Sequence, residues 1–575
     1  MGIKKTVLVF GGGVGGLSAA HELTEGLRAP HFDVEVIECL GVYGGKARSE
    51  TVCGDPPHPN GYPGEHGFRF FPTFYQHVVD TMKRIPSAFP GRATVFDHLV
   101  PTPLRMVARY GKPPIEMPTA PDLLDLLGIA NFISQLMGAQ SGLTPQDILF
   151  FATKLMQIAT SCKARRLAQH EVLSWWEFVD AASRSKPYQH YLASGLTRTL
   201  VAAKPNEINA MTGGDVLVRM LVDSTLTGVP ASADRVLDGP TSRVWMDPWI
   251  AELNRRNVTF SNGTLLSLDL ATAGGSISSA RVRLPGGSVV TRTADYYVVA
   301  VPVEKMATVL DNSPSVRDAG ARLAGVDVLR HEVRSMTGLQ FYLDEALKIS
   351  PKMGHALYVD TEWALTSIAQ SNFWRAPFDD LGIWGSGNIR TIWSTIVSDW
   401  ESAYPSGGGG DDANHSSRPE LRDSSFAQLA ASLNGDGVQR FDPASVVAWN
   451  LDAALTPGPE VGPRAAACNK MQLLVNQPKR WSCRPDPAPA GLSNLLLASD
   501  YVRTNTDLAT MEAANEAARV AVNAMLQREG IPYPCAVHEL YYPEVLTGDP
   551  FWQMWVKIDE ARFIAGSEWR VPWAP

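Results

Sequence analysis

The chain of 575 residues is too long for a single hydrophobic core, which indicates two or more domains. Hydrophobic residues make up 45% and charged residues 19% of it, which is typical of globular proteins and excludes the disordered and fibrous classes. The formal net charge of -8 gives no electrostatic reason to expect a nucleic-acid partner, and the 6 cysteines are scattered without the CxxC spacing of a zinc site.

The first predicted elements are a strand, a glycine loop and a helix. The apolar run in KTVLVF is typical of a buried parallel strand, and it passes into glycines without a signal-peptide cleavage site. The pattern G-x-G-x-x-G follows, in which the glycines permit a tight turn, a close approach to a pyrophosphate and close helix–strand packing. The helix N-terminus offers N–H groups to phosphates. The predicted nucleotide-binding residues of this motif are Gly11, Gly13, Val14, Gly15 and Gly16.

A second strand, FDVEVIE, ends in an acid, Glu38. An acid about 20 residues beyond such a loop accepts hydrogen bonds from the adenosine ribose. Because a carboxylate would repel a phosphate on that ribose, Glu38 favours FAD or NAD over NADP.

The next loop, CLGVYGGKARS, places two glycines before two cations. Gly44 and Gly45 let the backbone lie against a cofactor, and Lys46 and Arg48 can neutralise phosphate or reduced flavin. This loop resembles the second glycine motif of the flavin amine oxidase and phytoene desaturase superfamily of FAD-dependent oxidoreductases. The resemblance implies FAD as the cofactor and these four residues as contacts to it.

Residues 63–74, PGEHGFRFFPTF, set an acid, a histidine and an arginine among four phenylalanines. In the superfamily this segment passes over the flavin and opens into the substrate pocket, and here it resembles a bacterial branch around carotenoid desaturases and hydroxysqualene dehydroxylases. The resemblance implies that Glu65, His66 and Arg69 contact the flavin or act in catalysis, while phenylalanines line an apolar pocket. The competing interpretation is a buried Glu–Arg pair that holds a loop, with His66 as an ordinary core histidine.

The middle of the chain predicts helices and then strands. Residues 120–205 show helical apolar spacing, with a helix start at Thr144. The segment VTFSNGTLLSLDL resembles the part of the superfamily that covers the adenosine, which implies a backbone contact from Leu265 to the adenine. Residues 330–400 predict strands of a substrate domain. Candidate pocket residues on them are Gln340, Tyr342, Trp363 and Trp400.

Near the C-terminus, SNLLLASDYVRTNTDLATMEAANEAA reads as a strand, an acid, a loop and a helix. The resemblance implies that Asp500 binds the ribityl or pyrophosphate part of FAD, although the superfamily usually has glycine where this chain has Ser499. The helix begins near Thr510 and Met511, with its positive end toward the flavin. Docking onto the body, a dimer contact and a membrane-interface anchor stay open for the tail tryptophans Trp552, Trp555, Trp569 and Trp573.

The predicted fold class is α/β, a Rossmann-type FAD-binding domain with an interleaved substrate domain of antiparallel sheet plus helices. The FAD-binding domain is discontinuous in sequence, and a C-terminal tail follows it. The predicted ranges are 1–75, 235–325 and 485–530 for the FAD-binding domain, 76–234 and 326–484 for the substrate domain, and 531–575 for the tail.

The resemblance implies an FAD-dependent oxidoreductase that moves a hydride between an apolar, isoprenoid-like molecule and flavin N5, by desaturation or dehydroxylation. An amine oxidase with O2 as oxidant is the first alternative, in which Tyr501 or Trp400 would belong to an aromatic pair at the flavin. A redox-neutral isomerase or cyclase that uses reduced FAD is the second, and a non-enzymatic flavoprotein the last.

The sequence shows no Ser–His–Asp set and no metal cluster, so no metal is predicted. It also has no uninterrupted apolar run of about 20 residues that would form a transmembrane helix. We expect a cytoplasmic protein with a small-molecule substrate, and leave open a peripheral membrane contact and the choice between monomer and homodimer.

Overall fold

The computed structural model of the protein describes residues 4–67, 69–118, 126–200, 203–226, 234–404, 412–452, 455–457, 467–469, 471–538 and 550–571. Its strands are β1 (Lys5–Phe10), β2 (Phe32–Glu38), β3 (Ser49–Val52), β4 (Tyr62–Glu65), β5 (Phe70–Phe71), β6 (Leu99–Pro101), β7 (Leu104–Arg109), β8 (Lys112–Pro118), β9 (Arg235–Leu237), β10 (Thr259–Asn262), β11 (Thr264–Leu270), β12 (Ile277–Arg283), β13 (Val289–Arg292), β14 (Tyr296–Val299), β15 (Val333–Arg334), β16 (Thr337–Leu343), β17 (Met353–Tyr358), β18 (Thr366–Ala369), β19 (Thr391–Val397), β20 (Val446–Leu451), β21 (Leu455–Pro457), β22 (Ala467–Asn469), β23 (Leu473–Leu474) and β24 (Leu495–Leu497). Its α-helices are α1 (Val14–Leu23), α2 (His77–Lys83), α3 (Leu126–Met137), α4 (Pro145–Thr160), α5 (Lys163–Arg165), α6 (Trp175–Phe178), α7 (Leu196–Leu200), α8 (Ala210–Leu226), α9 (Asp247–Arg255), α10 (Val303–Asp311), α11 (Pro314–Ala319), α12 (Val326–Leu329), α13 (Arg418–Leu433), α14 (Met511–Arg528) and α15 (Pro550–Ile564).

A five-stranded parallel sheet forms the nucleotide-binding half, in the order β10-β2-β1-β14-β24. Its central strands are continuous apolar runs, as expected for a parallel sheet buried on both faces. Its strands come from distant parts of the sequence, and their carboxyl ends align, with Phe10 opposite Val299 and Val299 opposite Leu497. This sheet confirms the predicted Rossmann-type fold class.

Helices and a small second sheet cover the two faces of the parallel sheet. α1 and α14 pack against each other and on one face, where Leu17 and Val522 belong to the same hydrophobic core. On the other face lie α10 and the antiparallel sheet β11-β12-β13, which share a core with Leu8 and Val299. The helix α2 also packs against α14, so the nucleotide-domain core extends beyond the boundary predicted at residue 75.

The second large sheet has seven strands in the order β20-β16-β19-β18-β17-β7-β8. β7 and β17 pair in parallel and the remaining pairs are antiparallel, so the sheet predicted to be antiparallel is mixed. The reason is topological, because β7 and β17 are joined by a long connection and not by a hairpin. The predicted strands of residues 330–400 are confirmed as β16, β17 and β19.

The helices α3 to α8 pack around a separate core at the side of this sheet. The predicted helix start is confirmed, since Thr144 caps α4 by accepting the N–H of Asp147 at 3.1 Å, and the Asp147 carboxylate accepts the N–H of Thr144 in return. Along the part of the chain that the structure describes, no helix is both long and apolar enough to cross a membrane.

The C-terminal helix α15 docks onto α4 and α5. The indole N–H of Trp569 donates to Thr160 Oγ1 at 2.9 Å, which fits docking of the tail onto the body. Trp573 and the side chain of Trp552 lie outside the described residues. The main polar anchor is Asp559, whose carboxylate accepts the N–H of Cys162 at 2.8 Å and pairs with Arg165 at 2.9 Å.

We expect Asp559→Ala to destabilise the protein by about 3–5 kcal/mol, because it leaves the fully buried Arg165 cation without its carboxylate. Asp318→Ala is the matched control, since Asp318 pairs with Arg317 at the exposed surface and its loss should cost less than about 1 kcal/mol. Urea denaturation measures both. Equal midpoints for the two variants would show that the Asp559–Arg165 pair contributes nothing to stability.

Candidate active site

The first glycine loop turns at the carboxyl end of β1 and leads into α1. Gly11 has a φ of +107°, and a Cβ on it would lie 2.4 Å from Ala300 O. A Cβ on Gly16 would lie 1.9 Å from Gly11 O. Both positions therefore require glycine, one for the turn and one for the close packing of helix on strand.

The second glycine motif lies directly against the first. The N–H of Gly44 donates to Gly12 O at 2.8 Å. A Cβ on Gly13 would have Gly45 Cα as its nearest neighbour, at 3.7 Å, so the side-chain direction of Gly13 is open. Gly13 also begins α1, and no side chain caps the first turn of that helix. An open backbone surface therefore adjoins uncapped helix N–H groups, which is the arrangement that binds a diphosphate.

Glu38 ends β2 and is buried beside the first loop. One carboxylate oxygen accepts the N–H of Gly12 at 2.7 Å, and the other accepts the N–H of Leu40 at 2.9 Å. Glu38 therefore braces the glycine loop. The oxygen that accepts from Gly12 keeps a lone pair that a ribose hydroxyl can use, whereas the other oxygen also accepts from Cys39 Sγ at 3.3 Å. The predicted ribose contact stays a prediction.

The two predicted cations both contact backbone carbonyl groups. Lys46 Nζ donates to Gln472 O, and the Arg48 guanidinium donates to Gly45 O at 2.8 Å. Arg48 is thereby held at the second glycine motif. Its pairing with a phosphate or a flavin stays a prediction.

The C-terminal segment meets the N-terminal loop at the end of β24. A Cβ on Gly15 would lie 2.0 Å from Ala498 O, so α1 and the end of β24 are in backbone contact. Asp500 follows two residues later and is half-buried, with a contact from Ser499 Oγ at 3.3 Å. Thr510 caps α14 by accepting the N–H of Ala513 at 3.2 Å, and Met511 is the first residue of the helix.

Glu512, in the first turn of α14, ties this helix to the residues after the aromatic run. Its carboxylate accepts the N–H groups of Gln76, His77 and Val78 at 2.8, 2.7 and 3.0 Å and contacts His77 Nδ1 at 2.7 Å. Burial raises the pKa of Glu512, but the bonds from His77 and the N–H groups outweigh it, so the pKa is lowered. The negative charge thus held in place joins the start of α14 to the start of α2.

Two residues that follow strands of the parallel sheet, Glu304 after β14 and Tyr501 after β24, carry buried oxygen atoms without hydrogen-bond partners among the described residues. Both carboxylate oxygens of Glu304 and the hydroxyl of Tyr501 have no hydrogen-bond partner among the described residues. Burial raises the pKa of Glu304, with Lys46 opposing it, and burial likewise raises the pKa of Tyr501, together with the charges of Asp500 and Glu304. These groups lie close enough to one another to interact, beside the two glycine motifs.

The two aromatic residues considered for a pair at the flavin, Tyr501 and Trp400, lie in different cores. Tyr501 is fully buried in the core of the nucleotide-binding half, whereas Trp400 lies in the core behind the seven-stranded sheet, with its indole N–H bonded to Val397 O at 3.0 Å. The Tyr501 ring packs with Leu497 and neighbouring core residues, and its catalytic role stays a prediction. Trp363 is likewise a core residue, with its N–H bonded to Ser402 O at 3.1 Å.

Glu65 lies at the junction of the two halves. Its carboxylate accepts the N–H and the hydroxyl of Thr241, both at 2.9 Å, and its own N–H donates to Gln340 Oε1 at 2.9 Å. Burial raises the pKa of Glu65 to about 7, against the opposing effects of Arg69 and Thr241. A carboxyl that titrates near neutrality can accept or donate a proton at working pH.

The neighbours of Glu65 complete a cluster of ionisable groups. Arg69 Nε lies 3.8 Å from the Glu65 carboxylate and has no hydrogen-bond partner among the described residues, while another guanidinium N–H donates to Gly67 O at 2.8 Å. Burial lowers the pKa of Arg69, with Glu65 opposing it. His66 Nδ1 is in close contact with the Asp452 carboxylate. Of the two predicted partners of Glu65, Arg69 therefore lies beside it, whereas His66 pairs with Asp452.

The seven-stranded sheet covers this cluster through β16. A Cβ on Gly338 would lie 2.7 Å from Gly67 N, and the hydroxyl of Tyr342 donates to Pro63 O at 2.9 Å. Gln340 is also bonded to Ser394 Oγ at 3.1 Å. Of the four candidate pocket residues, Gln340 and Tyr342 contact the aromatic segment. Leu265 lies elsewhere, half-buried in β11, and its contact to adenine stays a prediction.

Sequence reasoning missed Thr241, Asp452, Glu304 and Glu512. Each is distant in sequence from the group that it contacts, so no local pattern points to it. Glu512 alone carried a usable signal, because it is an acid in the first turn of the helix assigned to the flavin.

The residues present fit a bound FAD. The open direction at Gly13, the uncapped start of α1 and the unpaired Glu304 and Tyr501 oxygens all lie at the carboxyl ends of the parallel strands, where dinucleotides bind in such sheets. Within the described ranges, no group of three or more histidine, cysteine or acidic side chains is arranged to hold a metal ion.

Comparison with known proteins agrees with this geometry. Residues 9–85 match the model of the NAD(P)-binding Rossmann-like domain. None of the curated protein sequences matches the chain. Among solved structures, the chain is similar to putrescine oxidase bound to putrescine (11% identity, TM-score 0.58, covering 92% of this chain and 99% of that one) and to cyclohexylamine oxidase from Brevibacterium oxydans IH-35A (11%, 0.56, 92% and 100%). It is also similar to an oxidoreductase from Methanosarcina mazei (12%, 0.53, 91% and 100%). The chain therefore has an amine oxidase-like fold.

Proposed function

We propose that the protein is an FAD-dependent oxidoreductase that takes a hydride from a C–H bond of a small molecule. The observation that supports this most is the contact between the two glycine motifs at Gly13 and Gly45, beside the uncapped start of α1. Bound FAD would supply the acceptor for the hydride or electron pair. The likeness in fold to oxidases of amines agrees with the proposal.

The chain itself would bind and orient the cofactor and control protons. The start of α1 would hold the diphosphate, with Lys46 and Arg48 as candidate cations, and Glu38 and Glu304 would offer carboxylate oxygens to ribose hydroxyls. Glu65, with its pKa raised to about 7 by burial, would exchange a proton with the substrate. The carboxylate of Asp452 would hold His66 in one orientation.

We place an apolar molecule first among the substrates. Phe70 packs on His355 at a ring distance of 4.9 Å and joins an apolar cluster that includes Ile368 and Phe373. Burial, together with the nearby charge of Arg105, lowers the pKa of His355 to about 3, so this imidazole stays neutral and adds no charge to the surface. The buried Arg69 cation would also repel an ammonium group.

An amine is the second candidate substrate, because two of the similar structures are a putrescine oxidase and a cyclohexylamine oxidase. Oxidation would take the hydride from the carbon next to nitrogen. The cluster at Glu65 serves this reaction as well, since a carboxylate near neutrality can remove the ammonium proton before the hydride leaves.

The test begins with the visible spectrum of the purified protein, followed by heat release and identification of the chromophore. We expect the paired near-UV and blue bands of oxidised flavin and released FAD. Anaerobic mixing then compares apolar polyenes with primary amines, and loss of the blue band identifies the substrate class. A colourless protein that does not take up added FAD would contradict the proposal. If only amines bleach the flavin, the proposal of an FAD-dependent oxidoreductase stands and the proposal of an apolar substrate is wrong.

A further inference from the structure

We propose that Ser87, His98 and Asp238 form a second catalytic site, a nucleophilic triad that hydrolyses small apolar carboxylic esters. Ser87 Oγ lies 2.9 Å from His98 Nε2, and His98 Nδ1 lies 2.7 Å from Asp238 Oδ1. A hydroxyl bonded to an imidazole that is itself bonded to a carboxylate is the arrangement that activates a serine nucleophile. The proposal uses none of the residues assigned to the flavin site.

The histidine and the acid are fixed by strand pairing. His98 directly precedes β6 and Asp238 directly follows β9, and these strands are antiparallel with Leu99 opposite Leu237. The register continues by one residue, since the N–H of Asp238 donates to His98 O at 3.0 Å. The two side chains are essentially fully buried. Because the nitrogen facing the carboxylate must carry the proton, Nε2 presents its lone pair to the serine.

The serine lies on a tight loop whose ends are also paired. Pro86 and Thr94 face each other in a β-bridge, and the N–H of Ser87 donates to Ala93 O at 3.1 Å. Ser87 Oγ accepts the N–H of Phe89 at 3.0 Å, which turns its own proton toward the imidazole. Ser87 is half-buried between the exposed residues Pro86 and Ala88, so a small molecule can reach its hydroxyl.

The surroundings indicate the class of substrate. The Phe89 ring packs edge-on against His98 at 5.4 Å and against Phe378 at 5.2 Å, which gives the serine an apolar wall. The N–H of Ala88, the residue after the nucleophile, has no acceptor among the described residues. In many hydrolases the N–H at that position stabilises the oxyanion. The Arg92 guanidinium donates to the second oxygen of Asp238 and so holds the carboxylate in place beside His98.

The reaction balances without any further reagent than water. Ser87 Oγ forms a bond to the ester carbonyl carbon while its proton moves to His98 Nε2. The alkoxide then leaves and takes that proton as an alcohol, and Ser87 carries the acyl group. Water attacks the acyl carbon, gives a proton to His98 and releases the carboxylic acid, after which the proton returns to Ser87.

The experiment treats the full-length protein with a fluorophosphonate probe, maps the adduct by mass spectrometry and measures hydrolysis of p-nitrophenyl butyrate. We expect one adduct on Ser87, formed at least about 100-fold faster than on other serines, since a positioned base contributes that much. Ser87→Ala should lose both the adduct and the hydrolysis. Ser183→Ala is the matched control, because the exposed Ser183 hydroxyl bonds to the Asp180 carboxylate and to no histidine.

His98→Gln tests the base, with the thermal midpoint as the check on folding. In a folded His98→Gln variant we expect labelling and hydrolysis to fall by at least about 100-fold. If that variant does not fold, the adduct and the hydrolysis rate of the parent and of Ser87→Ala test the proposal. No adduct on Ser87 in the parent, an adduct formed equally fast in folded His98→Gln, or hydrolysis that survives in Ser87→Ala would each overturn the proposal and leave the three residues as a structural brace.

Discussion

Gly13→Val should purify as a folded protein that has lost its flavin. The backbone of Gly13 has φ of −79° and ψ of −175°, which any residue can adopt, and a Cβ there meets nothing closer than 3.7 Å. The valine methyl groups would therefore extend into the open space that we assign to the diphosphate, without breaking a protein contact. We expect at least a tenfold loss of FAD affinity, which corresponds to about 1.4 kcal/mol or more.

Gly286→Val is the matched control for this substitution. A Cβ on Gly286 meets nothing within 4 Å, and its φ is outside the left-handed region, so the same change should affect neither flavin content nor stability. Flavin content per chain and the thermal midpoint of the flavin-free proteins are the measurements. Full FAD content in Gly13→Val would place the dinucleotide elsewhere.

Glu65→Gln should remove a pH dependence of stability that the parent shows between pH 4.5 and 7. Burial raises the folded-state pKa of Glu65 to about 7 from its ordinary value of 4.5, so the folded protein keeps a proton that the unfolded chain has already lost in this window. The stabilisation is therefore complete below about pH 4.5 and declines as the pH rises to about 7. The shift corresponds to about 3 kcal/mol for a carboxyl buried to this degree.

The glutamine variant isolates the charge, because its amide can keep both bonds to Thr241. Urea denaturation of parent and variant across this pH range should show the difference between them change by about 3 kcal/mol. If the two proteins keep a constant difference at every pH, Glu65 is not the titrating group.

Glu65→Ala is the second comparison, since it leaves the N–H and hydroxyl of Thr241 without an acceptor. Each buried donor left unsatisfied costs about 1–3 kcal/mol, so the alanine variant should be less stable than the glutamine variant at every pH.

The FAD content and the rate of flavin reduction of Glu65→Gln distinguish a role in catalysis from a structural role. Normal FAD content with much slower flavin reduction in Glu65→Gln would assign Glu65 to proton transfer, whereas loss of FAD would assign it to binding or folding.

Local sequence patterns predicted the nucleotide site better than the substrate side. The interlocked loops at Gly11, Gly13, Gly44 and Gly45 depend on backbone conformation, which glycine spacing encodes directly. The position of Glu38 could be predicted in the same way, since a carboxylate at the end of β2 lies beside the loop in any such βαβ unit.

The surroundings of Glu65 and of His98 depend on contacts between residues that are far apart in sequence. Local sequence patterns do not encode such contacts. Thr241 meets Glu65 across 176 positions, and Asp238 meets His98 across 140. Strand register creates the second of these contacts, and register cannot be read from composition. The candidate pocket residues Trp363 and Trp400 lie instead in the core behind the seven-stranded sheet, because a large aromatic residue is more often part of a core than of a pocket wall.

Of the five strands of the parallel sheet, β24 is the last to be synthesised. Within the part of the chain that the structure describes, β24 pairs with β14 alone and forms an edge of the sheet, yet Ala498 at its end touches Gly15 near residue 1. Chains fold progressively during synthesis, so the N-terminal loop must wait for almost the whole polypeptide before its surroundings are complete. A polypeptide interrupted before residue 495 would keep every glycine of the motif and still lack one wall of the site. Retention of the cofactor would thus report that synthesis has passed β24.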